Sequence, residues 1–211
     1  MPPDTLQRGL YLVTPDEPDT ERMLARVVPL LPFASCLQLR NKRVDASTLR
    51  VMGQRLHLAC LAAGIPLIVN DDAALAAELG VEGVHVGEHD GGIASARELL
   101  GPSAIIGVSC YDSLQRARDA AADGASYVAF GAFFPSTTKP GARRASVELL
   151  RDSGALGIPR VAIGGITPEN APSLVAAGAD LIAVIGGVFD AADPIAAARA
   201  CSSLFETAIR P

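Results

Sequence analysis

Residues 159–187 read PRVAIGGITPENAPSLVAAGADLIAVIGG. Two short apolar, β-branched runs, PRVAI and LIAVI, each give way to a glycine pair, and between them lies NAPSLVAAG, whose apolar residues return at helical spacing. The last Gly of that middle segment is the residue that closes a helix cheaply, because it accepts the left-handed conformation. A strand, a helix and a second strand in this order form a crossover unit, and strands apolar throughout suit a parallel sheet covered on both faces.

The same unit recurs outward along the whole chain. The strand candidates are GLYLVT from Gly9, CLQLR from Cys36, PLIVN from Pro66, GVHVG from Gly83, IIGVS from Ile105, YVAFG from Tyr127, PRVAIGG from Pro159 and LIAVIGG from Leu181. The segments between them read as helices: TERMLARVVPLL, STLRVMGQRLHLACLAAG, DAALAAELG, IASARELLG, SLQRARDAAADG, SVELLRDSG, NAPSLVAAG and DPIAAARACSSLFETAI. Eight strand-then-helix units with right-handed crossovers close into a (β/α)8 barrel, with an open doubly wound sheet as the alternative. The expectation is an α/β fold, a (β/α)8 TIM barrel in a single domain over residues 1–211, since no linker or charge block divides the chain.

Composition narrows the function. The chain is 49% hydrophobic, 19% charged and 4% aromatic with no Trp, the palette of helices packed on a parallel sheet. A formal net charge of −5 argues against nucleic acid as a partner, since phosphate backbones need a basic face. Cys36, Cys60, Cys110 and Cys201 lie far apart with no C-x-x-C pair, so neither a zinc site nor a disulfide framework is expected. Reduced thiols in the cytoplasm are the default. No signal-peptide pattern opens the chain and no apolar stretch reaches about 18 residues, so no membrane association is expected.

Polar residues gather where the strand candidates end. These are Gln38, Arg40, Asn41 and Lys42 after the second strand, Asn70, Asp71 and Asp72 after the third, and Glu88, His89 and Asp90 after the fourth. Ser109 follows at the fifth, Ser136, Thr137, Thr138 and Lys139 at the sixth, and Gly164-Gly165 and Gly186-Gly187 at the last two. In a barrel all of these share the rim that builds active sites. Arg40, Lys42 and Lys139 suit a ligand carrying several phosphate charges. Asp71 and Asp90 follow adjacent strands, and few hard oxygen donors beside a phosphate ligand are how Mg²⁺ is held. Asp71 also fits the N-cap of DAALAAELG, a task Asp72 could take instead. The glycine pairs let backbone amides approach a second anion, or serve only as turn formers, and Ser136 and Thr138 could donate to that same anion. Two phosphorylated small molecules in one pocket point to a transfer reaction. His85, inside its strand, reads more readily as a histidine satisfied by neighbouring backbone than as a general base. His57 reads as surface or packing, and the role of His89 stays open. No G-x-S-x-G, H-E-x-x-H or Walker-type loop occurs.

The segments LQLRNK, LIVNDD, GVHVGEHD, IIGVSCYDSLQRA, YVAFGAFFPSTTKPGA and AIGGITPEN, in this order, resemble those of the bacterial thiamine-phosphate synthase family. The likeness runs from GLYLVTPD to AVIGGVFDAADPIAAARA, nearly the whole chain. It implies a (β/α)8 barrel that joins 4-amino-5-hydroxymethyl-2-methylpyrimidine diphosphate to 4-methyl-5-(2-phosphoethyl)thiazole, releasing diphosphate with Mg²⁺ as cofactor. Carried over residue by residue, it implies that Gln38, Leu39, Arg40, Asn41, Lys42, Asn70, Ser109 and Lys139 hold the pyrimidine diphosphate and that Asp71 and Asp90 bind the metal. Ser136, Thr137 and Thr138 would meet the thiazole phosphate, with Gly165, Ile185 and Gly186 closing that site. Arg40, Lys42 and Lys139 would assist the leaving diphosphate. Three positions depart from the family pattern. Asn41 stands where Glu is frequent, Glu88 stands where Gln is common and adds a candidate third carboxylate near the metal, and Gly186 replaces a frequent Ser. Rival readings are a thiazole tautomerase-like barrel without diphosphate chemistry and a non-catalytic phosphate-binding barrel. A homodimer is compatible with either outcome.

Overall fold

The computed structural model describes residues 6–135 and 143–206. Eight parallel strands close into a barrel in sequence order: β1 (Gly9–Val13), β2 (Ala34–Leu39), β3 (Leu67–Asn70), β4 (Gly83–Val86), β5 (Ile105–Tyr111), β6 (Tyr127–Gly131), β7 (Arg160–Ile163) and β8 (Leu181–Val184). Closure, with β8 paired to β1, excludes the open sheet. The helices are α1 (Thr20–Val27), α2 (Ala46–Ala63), α3 (Ala73–Leu79), α4 (Gly92–Leu100), α5 (Leu114–Ala122), α6 (Val147–Asp152), α7 (Ala171–Ala176), α8 (Gly186–Phe189) and α9 (Pro194–Ser203).

Strand alternation divides the apolar side chains into two cores. Leu10, Leu12, Leu37, Leu39, Val69 and Val84 face the helices and pack with Met23, Met52 and Leu56. Tyr11, Val13, Cys36, Ile68, Tyr127, Ala129, Val161 and Ala183 fill the barrel interior. Asp19, Asp45, Asp72, Ser113 and Asp193 start five helices by accepting a backbone amide three residues on. At the N-terminal ends of the strands, Arg160 at the start of β7 is buried against Asp180 at 3.0 Å and donates to the Leu150 carbonyl. That end of a barrel serves stability, and the opposite rim is left for chemistry.

Several boundaries differ from the sequence reading, β2 beginning at Ala34 and the last helix ending at Ser203 among them, and two of the differences have identifiable reasons. The first helix stops at Val27 and continues as a 3-10 turn over Val28–Phe33, because Pro29 and Pro32 remove amide donors from its last turn. The glycine pair after β8 opens the short helix α8 instead of a simple turn.

Glycine 107 shapes the barrel interior. His85, Gly107 and Tyr127 lie side by side on β4, β5 and β6, and the Tyr127 ring crosses the strand at Gly107 to stack on the His85 ring at 5.6 Å between centroids. A Cβ at Gly107 would fall within the Tyr127 ring. Gly107→Ala is therefore expected to cost about 1–3 kcal/mol through overpacking, read as a lowered midpoint in chemical denaturation at unchanged slope.

Candidate active site

The rim starts at the loops after β1 and β2, which are fastened together. Thr14 Oγ1 donates to the Arg40 carbonyl at 2.6 Å and accepts from the Arg40 amide at 2.9 Å. Asp16 Oδ1 accepts from the Arg40 guanidinium at 3.2 Å and from the Lys42 amide at 2.8 Å. The Arg40 head is thus held in place, with part of its charge balanced by Asp16. Lys42 keeps its ammonium near the carboxylates of the next strands, where its field reaches Asp71.

Two of the residues expected to meet the ligand stand differently. Leu39 has its side chain in the core between barrel and helices, so only its backbone is available at the rim. Asn41 is buried; its amide donates to the Glu17 carbonyl and to Met52 Sδ, and its carbonyl oxygen accepts from the Arg43 amide. The Asn41 side chain thus anchors the β2 loop on α2 and the β1 loop.

Asp71 and Asp90 come together across the ends of β3 and β4. Partial burial raises the Asp71 pKa above the usual carboxylate value, and the charge and hydrogen-bonding of Asp90 add to the rise, while Asn70 and Lys42 oppose it. Although Asp71 is exposed overall, its carboxyl is partly desolvated. Its backbone has φ +64°, a left-handed conformation Asp tolerates better than most residues. The N-cap of α3 is Asp72, which accepts from the Leu75 amide at 2.8 Å, so capping does not occupy Asp71. Asp90 Oδ2 accepts from the Gly87 amide at 2.7 Å, fixing one carboxylate oxygen. Two carboxylates that repel each other beside a lysine fit a small hard cation that completes its shell with water and ligand oxygens. Glu88 does not join them: it is exposed and lies 3.9 Å from Arg116. Among the described residues no three His, Cys, Asp or Glu side chains converge on one point.

Below this rim a polar chain crosses the barrel interior. Gln38 Nε2 donates to the Tyr11 hydroxyl at 2.9 Å, the Tyr11 and Tyr127 hydroxyls are 2.7 Å apart, and Tyr127 bonds His85 Nδ1 at 2.9 Å. His85 Nε2 bonds Ser109 Oγ at 2.9 Å. His85 is therefore satisfied by side chains, where the sequence reading had expected backbone. Burial is the main reason that both phenols have pKa values well above the ordinary one, so both keep their protons. His57 reaches Glu82 at 3.3 Å, away from the rim, and His89 is exposed.

At the other side of the mouth, Gly164 and Gly165 have φ +105° and +63°. A Cβ on Gly165 would strike the Pro135 and Phe134 carbonyl oxygens, so the start of the loop after β6 rests directly on the β7 loop. Asn170 fastens that second loop by donating to the Gly165 carbonyl at 3.0 Å and accepting from the Thr167 amide at 2.9 Å. Gly187 lets α8 approach the Ile166 carbonyl. Gly186 opens the first turn of α8, where amides have no intrahelical acceptor, and Ile185 precedes it with its side chain against the inner core. The turn-forming role of the glycines is thus real at Gly164 and Gly165, whereas Gly187 serves a close backbone approach within α8. Ser136, Thr137, Thr138 and Lys139 lie outside the described residues.

The sequence reading missed Asp16, which fixes Arg40, and it missed the tyrosines of the interior chain. The signal for the latter was available: Tyr11 and Tyr127 share the inward parity of Gln38 and His85, and Gly107 leaves the space that joins them.

Comparison with known proteins identifies the family. The family model of thiamine monophosphate synthase matches residues 10–188. The thiamine-phosphate synthase of Xanthomonas campestris pv. campestris is 61% identical over 198 residues, covering 93% of this chain and 96% of that one. That of Azoarcus sp. is 56% identical over 200 residues, covering 94% and 97%. Among solved structures, thiamine phosphate pyrophosphorylase from Pyrococcus furiosus superposes with a TM-score of 0.83 at 31% identity, covering 97% of both chains. The 3-hexulose-6-phosphate synthase of Salmonella typhimurium, at 16% identity and a TM-score of 0.73, shares the fold. No helix among the described residues is long and apolar enough to cross a membrane. The chain belongs to the thiamine monophosphate synthase family and carries its transferase activity in thiamine biosynthesis.

Proposed function

We propose that the rim binds 4-amino-5-hydroxymethyl-2-methylpyrimidine diphosphate and 4-methyl-5-(2-phosphoethyl)thiazole together and joins them with a Mg²⁺ ion held by Asp71 and Asp90. The observation that carries the metal assignment is the approach of those two carboxylates beside Lys42 while Asp72 takes the capping task. When bound, Mg²⁺ supplies Lewis-acid neutralisation of the diphosphate oxygens. Arg40, oriented by Asp16, and Lys42 meet the charge that grows on the leaving group, and Lys139 completes the cationic set. Such charge is met best by groups already in position, because they need no reorganisation as the bond breaks. The bond between the pyrimidine methylene carbon and its oxygen breaks with the electron pair leaving on diphosphate. The resulting cation is captured by the lone pair of the thiazole nitrogen, which forms the new C–N bond. Gln38, Asn70 and Ser109 orient the pyrimidine. Ser136, Thr137 and Thr138, with the amides at Gly165 and Gly186 next to Ile185, hold the thiazole phosphate.

Incubation of the purified protein with both substrates and Mg²⁺, followed by oxidation and fluorescence detection of thiamine phosphate, tests this reading. Product that requires both substrates and the metal is expected. Isomerisation of a thiazole with no diphosphate released would contradict it.

Gly186→Ser is expected to leave thiazole phosphate affinity unchanged or to tighten it. The nearest atom to a new Cβ is Asp190 Oδ2 at 2.9 Å, the tip of an exposed side chain that can swing aside. The added hydroxyl could donate to the phosphate while backbone donation persists. KM for the thiazole phosphate measures this, and a large rise would contradict the anion site.

A further inference from the structure

The interior chain has a direction. An amide nitrogen can only donate, so Tyr11 accepts from Gln38, and its own proton has one remaining partner among the described residues, the Tyr127 oxygen. Tyr127, accepting there, sends its proton to His85 Nδ1. A neutral imidazole that accepts at Nδ1 carries its proton on Nε2 and donates it to Ser109 Oγ. The Ser109 hydroxyl proton is then left for the pocket. At the other end, Gln38 Oε1 bonds no group among the described residues, although the side chain as a whole is buried. The opposite sense would strand a buried phenolic proton or require a flipped amide, and an unmade buried bond is costly.

We infer that Tyr11, Tyr127 and His85 are positioning residues that fix the hydrogen-bond polarity of the pyrimidine pocket, presenting an acceptor at Gln38 Oε1 and a donor at Ser109. This rests on the reading that Gln38 and Ser109 meet the pyrimidine. An acceptor and a donor so fixed match an aminopyrimidine, whose exocyclic amine donates and whose ring nitrogen accepts. They mismatch the 4-oxo analogue, whose lactam form presents a carbonyl acceptor and an N–H donor. Gly107 belongs to the same device, since its missing side chain is the space through which Tyr127 reaches His85.

The test measures, for the wild type and Tyr127→Phe, KM and kcat with the aminopyrimidine diphosphate and the inhibition constant of its 4-oxo counterpart. Phe keeps the ring and removes both hydroxyl bonds. The wild type should prefer the amino over the oxo compound by about 10²-fold or more, because a mismatch leaves two groups facing like partners. In Tyr127→Phe that preference should fall to within about tenfold and KM should rise about tenfold, the size of one lost buried hydrogen bond. Its kcat and the inhibition constant of free diphosphate should be retained. Tyr11→Phe, which cuts the chain one link earlier, should move the preference the same way and covers the case of a poorly folding Tyr127 variant. ¹⁵N shifts of His85 should report a proton on Nε2 and none on Nδ1. An amino-over-oxo preference that survives in both Phe variants, or a His85 protonated on Nδ1, overturns the proposal. If Gln38→Ala and Ser109→Ala leave the pyrimidine KM unchanged, the underlying placement of the pyrimidine falls with it. If those two raise KM while the Phe variants keep the preference, only the polarity device falls.

Discussion

Asp71→Ala is expected to lower kcat on the order of 10³-fold, the several kcal/mol a Lewis-acid cation supplies to a departing diphosphate. The fold should survive, because the α3 amide that an N-cap must satisfy is bonded by Asp72. Ala is less comfortable than Asp at φ +64°, and the left-handed backbone should cost about 1 kcal/mol of stability. Asp71→Asn separates the two effects. Asn accepts that backbone conformation and nearly reproduces the shape of Asp while removing the charge, so its stability should match the wild type and its activity should fall as far as that of the Ala variant. Thermal or chemical denaturation beside steady-state kinetics on both variants provides the check. Wild-type turnover by either variant would remove the metal assignment.

The second large effect is expected at Gly165. Its φ of +63° already disfavours any other residue, and a Cβ would meet the backbone carbonyls of Phe134 and Pro135, which have no flexible tip to move. Gly165→Ala must therefore shift Phe134 and Pro135, which precede Ser136 to Lys139 in sequence, or shift the β7 loop held by Asn170. A displacement of about 1 Å in groups that position a reactant can cost 10²-fold in kcat/KM, and that is the loss expected for the thiazole phosphate. Gly165→Ala should impair that substrate more than it impairs affinity for the pyrimidine diphosphate, whose other contacts lie across the rim. Equal effects on both would show that the β6 and β7 loops do not form a separate anion subsite.

The barrel was legible because its strands are buried on both faces and its helices end in glycine or begin at a capping Asp or Ser. Apolar runs such as LIVN and LIAV admit few other readings when they recur between helical segments eight times. Boundaries were less legible where local chemistry interrupted an element, as Pro29 and Pro32 do after α1. The site was legible at the level of which strand ends carry charge, since the topology forces those ends onto one rim. Side-chain direction was not. Leu39 follows the inward-facing Gln38 and by strand alternation had to face the helices, a deduction open to sequence reasoning once the parity is set. Asn41 lies beyond the end of β2, where alternation no longer applies, and its direction is decided by the Glu17 carbonyl and Met52, contacts that exist only after folding. Asp16 is hidden for the same reason, as its bond to Arg40 joins loops 24 residues apart.

The proposed transfer depends on Asp71 and Asp90 sharing one divalent ion in front of Arg40 and Lys42. Crystals grown with Mn²⁺ and inorganic diphosphate, examined by anomalous scattering at the manganese edge, test this most directly. A peak is expected between the two carboxylates with diphosphate oxygens on its far side, lost in Asp71→Asn. A peak held by other side chains, or one unchanged in that variant, would contradict it.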